Sequence, residues 1–98
     1  MELYQLRTFV AVAEEGHLTR AAERLFISQP AVSAHVKALE EELGVALFNR
    51  GPRGMQLTRE GQMLKPQAEA ALKSVGDLLN QARSLREDLT GELRLALN

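Results

Sequence analysis

The stretch that decides the fold runs from Ile27 to Gly44 and reads ISQPAVSAHVKALEEELG. Ser28 has a side-chain oxygen that can accept from the free N–H groups of a helix start, and Pro30 follows where a first turn needs no N–H. Gly44 is a suitable C-terminal stop. Between these ends, apolar side chains recur at the helical period: Val32, Val36, Leu39 and Leu43. The stretch therefore predicts a helix with one side facing a core.

The opposite side of this predicted helix carries Pro30, Ala34 and Glu41, with Ser33 and Lys37 beside them. Its first half is small and uncharged, whereas a solvent-facing surface normally carries long charged side chains. Small polar side chains suit a helix whose first turns enter a narrow space and contact a partner. An ordinary surface helix with a weak polar side is the alternative.

Size and composition limit the class of protein. The chain has 98 residues, 45% of them hydrophobic, which suits one small domain or a small domain with an extension. It has no cysteine, so no disulfide framework or thiolate metal site is expected. The opening MELYQLR does not resemble a secretion signal, and no apolar run is long enough to span a membrane. We therefore expect a soluble, cytoplasmic protein with no membrane partner.

The formal net charge of −1 counts against nucleic-acid binding, because such domains usually have a basic excess. The charges are unevenly distributed, however. Between His17 and Lys37 the basic residues outnumber the single acid, and between Arg50 and Arg59 there is no acid. Two local basic patches are therefore possible, and they predict weak non-specific affinity for DNA.

Two further helices precede the central stretch. Apolar residues at helical spacing predict the first helix from about Leu3 to Glu15, ended by Gly16. Thr19 is the predicted N-cap of a second, short helix, whose apolar side consists of Ala21, Ala22, Leu25 and Phe26. Because only a short connection separates it from Ser28, the two helices should form a helix-turn-helix. Many all-α domains contain such a corner.

A β-hairpin is predicted after Gly44. Two short apolar-containing runs, 46–50 and 55–58, flank the turn residues of 51–54. Arg53 would lie at the tip and Arg50 at the base, from where a guanidinium could reach a minor groove or a phosphate. A solvated turn arginine is the alternative at this point.

Thr58 is the predicted N-cap of a long helix that runs to about Leu89, with Pro66 expected to bend its first turns. Such a helix, roughly 45 Å long, outruns the small core before it. Homodimerisation is therefore expected, with folding back onto its own domain as the alternative. The dimer would form along a heptad seam: Leu64, Ala68, Ala71, Val75, Leu78, Ala82, Leu85 and Leu89. Alternation in GELRLALN, residues 91–98, predicts a strand that would open a second, cut-off domain.

These residues together resemble the N-terminal DNA-binding region of LysR-type transcriptional regulators. The specific part is a set of short motifs at fixed spacings: Ser28-Gln29-Pro30-Ala31, Leu39-Glu40, Leu43-Gly44, Leu47-Phe48, Arg50 and Leu57-Thr58. The resemblance implies a mainly α fold: a winged helix-turn-helix of three helices and a hairpin wing at 1–58, followed by a dimerising linker helix at 59–90. Residues 91–98 would open an effector-binding domain that this fragment lacks. A small-molecule inducer is expected only for that missing domain, and higher assembly only in a full-length protein.

The resemblance also implies roles for individual residues. Base contacts fall on Gln29, Pro30 and Ser33, and a minor-groove contact falls on Arg53. A glutamine can pair with adenine, a proline can contact a thymine methyl, and a serine can donate or accept. Phosphate contacts are expected from Thr19, Ser28, Lys37 and Arg50.

Two neighbouring residues of the same helix are expected not to contact bases. Ala34 stands where family members often have arginine or another long polar residue, which removes one possible contact. His35 is expected to pack or to form a local hydrogen bond.

The sequence thus predicts a sequence-specific transcriptional regulator that binds a partly palindromic site on double-stranded DNA as a dimer. A coiled-coil interaction module is the second hypothesis, with the long helix as its functional part. An enzyme is the third: His17 and His35 have no catalytic constellation near them, and no phosphate loop or metal-ligand spacing occurs. We therefore expect no catalytic residue, metal or cofactor.

Overall fold

The computed structural model describes the backbone of residues 1–97 and the side chains of residues 1–89. Three helices come first, then a two-stranded antiparallel hairpin, then one long helix. Their bounds are α1 (Leu3–Glu15), α2 (Leu18–Leu25), α3 (Gln29–Leu43), β1 (Phe48–Gly51), β2 (Gly54–Leu57) and α4 (Arg59–Leu97). The predicted mainly α, winged helix-turn-helix fold with a long following helix is therefore confirmed.

The core lies where α1, α2 and α3 meet the start of the hairpin. Phe9 of α1 and Phe48 of β1 pack edge to face, with ring centroids 5.7 Å apart, which fixes the hairpin against the helices. Each large apolar side chain buried here contributes about 1.5–3 kcal/mol. The largest of them are fully buried: Phe9, Leu39, Leu47, Val12, Val32 and Val36.

The ends of α1 and α3 agree with the predictions, because the capping residues act as expected. Gly16 and Gly44 are left-handed, with φ of 73° and 76°, and the Ser28 hydroxyl oxygen accepts from the Ala31 N–H at 3.2 Å. The predicted N-cap of α2 is wrong. The His17 carbonyl already accepts from the Ala21 N–H at 3.0 Å, so the helix begins before Thr19.

The corner between α2 and α3 turns at Phe26, which has φ of 59° and ψ of 40°. The prediction that Phe26 contributes to the apolar side of α2 is wrong, since its side chain is 94% exposed. The left-handed backbone ends the helix at Leu25 and takes the next side chain off the helical period. Ala21 and Ala22 are buried as expected, which lets the helices approach closely.

The strand bounds differ from the sequence pattern: β1 begins two residues later, and Gly51 pairs with Gly54, so the turn has two residues and not four. Arg50, predicted at the base, therefore lies one pair from the turn. The Met55 N–H donates to the Gly16 carbonyl at 2.9 Å, which ties β2 to the connection between α1 and α2. Gly54 has φ of 96°, and a Cβ there would clash with the Gly16 carbonyl oxygen. This position therefore requires glycine.

Helix α4 begins on the domain and then leaves it. Thr58 caps it as predicted, accepting from the Gly61 N–H at 2.9 Å. Leu64, Ala68 and Leu72 pack against the core. Further along, Leu78, Leu85 and Leu89 are 66%, 61% and 58% exposed. The molecule measures 66 × 25 × 19 Å, so α4 is an extended rod and does not fold back.

The strand expected at residues 91–98 is not found, because α4 continues as helix to Leu97. An isolated terminal strand would have no partner for its backbone groups, whereas a helix satisfies them within itself. Asn98 and the side chains of residues 90–97 lie outside the described part of the chain. The assignment of this segment to the start of a further domain stays a prediction.

Candidate nucleic-acid interface

The exposed end of α3 presents small and polar side chains. Ser28, Gln29 and Pro30 are exposed and Ser33 is half-buried, while the apolar side of the helix is in the core. Gln29, Ser33 and Lys37 follow one another at intervals of four, so they form a row along one side of the helix. This is the surface expected of a helix that must enter a groove.

A surface cleft of about 270 Å³ joins this helix end to the other two elements of the predicted interface. Thr19 from the first turn of α2, Gln29 from α3 and Arg50 from β1 line it together. Three predicted DNA contacts that are distant in sequence are thus brought to one site. His17, which precedes α2, lines the same cleft.

The hairpin carries the remaining arginine. Arg53 is exposed in the two-residue turn between Gly51 and Gly54, beside Pro52. Arg50 and Arg53 both line a hollow of about 220 Å³ on the hairpin. Two guanidinium groups on one short hairpin are suited to a phosphate backbone or a minor groove.

The other two predicted phosphate contacts have different surroundings. The Ser28 hydroxyl oxygen already accepts from the Ala31 N–H in the α3 cap, and its proton remains available to donate to a phosphate. Lys37 lies two turns further along α3, in a shallow depression with Glu41 and Gly44, and not in the cleft. Its predicted role therefore depends on DNA following α3 for more than its first turn.

Most basic side chains near the predicted interface form no ion pair with the described side chains, so their positive charges are available to a ligand. Arg24 is held by Glu14 at 2.8 Å and Glu15 at 3.3 Å, and its hydrogen bond to Glu14 raises the guanidinium pKa. That arginine therefore joins α2 to α1 and adds little to a basic patch. Within residues 1–89, by contrast, no ion pair is formed by five basic side chains: Arg20, Lys37, Arg50, Arg53 and Arg59. A chain with a net charge of −1 thus keeps cationic side chains without an ion pair in residues 1–89, and one of them, Arg50, lines the cleft.

His35 is a structural residue, as predicted. Its Nδ1 lies 2.9 Å from the hydroxyl of Thr8, which is 2% exposed. The Thr8 hydroxyl donates to the Tyr4 carbonyl at 2.9 Å, so His35 Nδ1 must be the donor in their shared bond. Its ring also lies against that of Tyr4, with centroids 4.6 Å apart. His35 therefore fastens α3 to α1.

The sequence analysis missed two residues of this region. His17 was considered only as a catalytic candidate, although its place between Gly16 and the start of α2 is a signal that it flanks the helix end. Glu40 was named only as part of the Leu39-Glu40 motif, yet its carboxylate accepts from the N–H groups of Leu47 and Phe48. No pattern in the sequence indicates that bond, since its partners belong to a loop.

Neither a metal site nor a membrane segment is indicated in the part of the chain that the structure describes. No three His, Cys, Asp or Glu side chains there lie close enough to hold a metal ion. None of the described helices combines the length and the apolar character needed to cross a bilayer.

Comparison with known proteins identifies the family and agrees with the fold. Residues 3–62 match the family model described as bacterial regulatory helix-turn-helix protein, lysR family. The chain is 45% identical over 97 residues to the HTH-type transcriptional regulator BudR of Klebsiella aerogenes, covering 99% of this chain and 68% of that protein. It is 44% identical over 96 residues to ClcR of Pseudomonas putida, covering 98% of this chain and 33% of that regulator.

Solved structures agree with this result. The chain superimposes on the DNA-binding domain of CbnR in complex with DNA with a TM-score of 0.82 and 40% identity, covering 86% of this chain and 97% of that one. For the BenM DNA-binding domain in complex with catB site 1 DNA the TM-score is 0.83 and the identity 41%, covering 87% of this chain and 96% of that one. The chain thus corresponds to the DNA-binding part of longer regulators.

Proposed function

Because the chain belongs to the LysR family of bacterial regulatory helix-turn-helix proteins, we propose that it binds a specific, partly palindromic site on double-stranded DNA as a homodimer. The observation that carries this proposal is the cleft that unites Thr19, Gln29 and Arg50 at the exposed end of α3. Similar chains, the CbnR and BenM domains, are described in DNA complexes. As a bacterial transcriptional regulator that binds DNA, the protein would act in the cytoplasm, at the nucleoid.

In the proposed complex the N-terminal end of α3 enters the major groove. Gln29 reads adenine through two hydrogen bonds, Pro30 contacts a thymine methyl, and Ser33 donates to or accepts from a base edge. Each fully matched bidentate pair discriminates by about 1–3 kcal/mol. The exposure of Gln29 and Pro30 supports these roles.

The surrounding groups would fix the orientation of α3. Arg53 at the tip of the hairpin reaches the adjacent minor groove, while Thr19 and Arg50, which line the cleft with Gln29, contact phosphates. Ser28 and Lys37 contribute further phosphate contacts along α3. Because the neutral and cationic groups surround one cleft, base reading and backbone anchoring would occur together.

We further propose that α4 forms the dimer as an antiparallel pair. When two copies of α4 are aligned antiparallel about a point between Val75 and Leu78, Ala71 meets Ala82 and Val75 meets Leu78. Ala68 is buried in its own domain, so it takes no part in this contact. The layer of Ala71 with Ala82 allows the two helices to approach closely. Beside the seam, Leu72 of one copy would lie near Leu79 of the other, giving the latter, 58% exposed, an apolar neighbour.

The proposal is tested by selecting bound duplexes from a random pool and measuring the affinity of the selected site. We expect a site with partial two-fold symmetry, whose half-sites are about 34 Å apart. Recovery of unrelated sequences with equal affinity would contradict sequence-specific binding. The exposed leucines of α4 favour the coiled-coil module as the second candidate function, and it would be supported by a dimer that ignores every duplex at low salt.

The regulators that this chain resembles extend beyond it, since it covers 68% of BudR and 33% of ClcR. An effector-binding domain, a small-molecule inducer and assembly beyond the dimer therefore belong to the proposal for a longer protein.

A further inference from the structure

One carboxylate of α3 is bonded to the root of the hairpin. Glu40 Oε2 accepts from the Leu47 N–H at 2.6 Å and from the Phe48 N–H at 3.3 Å. Glu40 is half-buried, whereas Glu41 and Glu42, which follow it, are exposed. It is therefore not a solvated charge like Glu41.

The bond supplies a partner to a backbone group that the hairpin cannot satisfy. Leu47 is fully buried and lies one residue before β1, outside the paired positions that begin at Phe48. A buried N–H without a partner is unfavourable, and a charged acceptor makes the stronger bond. Glu40 therefore fixes the chain where it enters the hairpin.

Glu40 lies on nearly the same side of α3 as Gln29, the first of the predicted base-reading residues. At about 100° per residue, Glu40 lies about 20° round the helix from Gln29 and about 16 Å further along its axis. Ser33 lies about 40° round from Gln29. The side of α3 that presents Gln29 to the cleft thus also holds the hairpin.

The hairpin's other attachments involve different elements. The Met55 N–H bonds to the Gly16 carbonyl, and the Thr58 hydroxyl donates to the Ala46 carbonyl at 2.6 Å. The first bond holds β2 to the α1–α2 connection. The second joins the chain just after β2 to the loop just before β1. The Glu40 bonds add the link to α3.

We propose that Glu40 is a positioning residue that sets the hairpin relative to α3, so that Arg53 and Gln29 reach the same DNA site. This inference rests on the proposed function. Without the carboxylate the hairpin keeps its bond to Gly16, its Thr58 bonds and the contact of Phe48 with Phe9, but the N–H groups at the entry to β1 lose their bonds to α3. Arg53 is then no longer held at the distance from α3 that binding requires.

A double-mutant cycle on the selected operator tests the inference. In the unaltered chain we expect Arg53→Ala to weaken binding about tenfold, a loss typical of a hydrogen bond to a charged group. In the Glu40→Ala background we expect Arg53→Ala to lower the affinity by less than about threefold. The reason is that Arg53 contributes only while Glu40 holds the hairpin in place relative to α3. Glu40→Gln keeps a side-chain carbonyl acceptor and should restore most of the Arg53 effect.

Glu41→Ala is the matched control, since it removes the same charge one residue away without touching the hairpin root. It should leave the effect of Arg53→Ala unchanged. Amide hydrogen exchange of the free protein supplies a readout without DNA. Leu47 and Phe48 should exchange faster in Glu40→Ala while the amides of α1 stay protected. If Glu40→Ala does not fold, Glu40→Asp, whose carboxylate is one methylene short, takes its place with the same expectations.

An equal loss on Arg53→Ala in both backgrounds would overturn the positioning role and leave the proposed DNA binding intact. Unchanged exchange at Leu47 and Phe48 would overturn it as well. If the unaltered chain bound no duplex, the proposed function would fail and this inference with it.

Discussion

Phe26 shows most directly how a single residue can oppose local physical preference. A non-glycine residue in the left-handed region costs about 1–2 kcal/mol, and its ring, 94% exposed, gains nothing from burial within residues 1–89. The corner nevertheless needs this backbone conformation, because it turns the following N–H, that of Ile27, back to the Ala22 carbonyl at 3.1 Å. The backbone strain at Phe26 is tolerated because the turn there places α3 against the core.

Phe26→Gly should therefore stabilise the domain. Glycine adopts the left-handed conformation freely but loses more chain entropy on folding, so the net gain should be about 0.5–1 kcal/mol. Urea unfolding followed by circular dichroism measures it, with Gly44→Ala as the opposite control, since alanine would introduce strain at φ of 76°. A loss of stability in Phe26→Gly would mean that the ring makes a stabilising contact.

Gln29 and Arg53 should differ in the kind of loss that they cause. Gln29→Ala should relax the preference at one base pair by about 1–3 kcal/mol, because it removes a bidentate contact. Arg53→Ala should weaken binding on all sequences and make the affinity less dependent on salt, because it removes a positive charge that contacts the minor groove or the DNA phosphates. Gel shifts on the selected site and its single-base variants measure both. An equal loss for Gln29→Ala on every duplex would contradict its role as a base reader.

At the scale of elements, the sequence was informative where a terminus depends on its own residues. Ser28 and Gly44 set the ends of α3 through local caps, so both could be predicted. The start of α2 could not, because the His17 carbonyl begins the helix without a side-chain cap. The Glu40 bond could not be foreseen either, since it depends on where a distant loop is placed. Helical periodicity identified the core side of α3 but not the partners of its other side.

The hairpin depends on one close backbone approach, which gives a sharp test. Gly54→Ala would place a Cβ against the Gly16 carbonyl in a strained φ, and we expect it to destabilise the domain by more than about 2 kcal/mol. Gly51→Ala is the matched control, because a Cβ there meets nothing within 4 Å. Thermal unfolding of both variants measures the difference. Equal stabilities would show that the hairpin can shift away from Gly16 at little cost.

The whole molecule combines a small head that, among the described side chains, keeps unpaired arginines on one surface with a long helix that exposes a row of leucines. Three of the head's acids, Glu14, Glu15 and Glu40, are used in structural contacts, while Arg50 and Arg53, the proposed DNA contacts, form no ion pair within residues 1–89. The rod exposes leucines that a lone chain has no means to bury. Both features are incomplete in isolation, which is why we propose DNA at one end and a second copy along the other.

The proposed antiparallel dimer makes a prediction that a parallel dimer or a monomer does not share. The chain has no cysteine, so introduced thiols can report on the seam without background. In an antiparallel pair residue 71 of one copy faces residue 82 of the other, so Ala71→Cys combined with Ala82→Cys should form two intermolecular disulfides under mild oxidation. Ala71→Cys alone should form none, whereas a parallel dimer would cross-link it readily.

Ala70→Cys, one residue off the seam, is the control for random collision. Non-reducing electrophoresis after oxidation gives the fraction of cross-linked dimer, and sedimentation of the reduced proteins confirms that each variant still associates. Cross-linking of Ala71→Cys alone would establish the parallel arrangement. If every variant and the unaltered chain were monomeric at micromolar concentration, the exposed leucines of α4 would have to bind another partner. Binding of a two-fold symmetric DNA site as a dimer would then be contradicted.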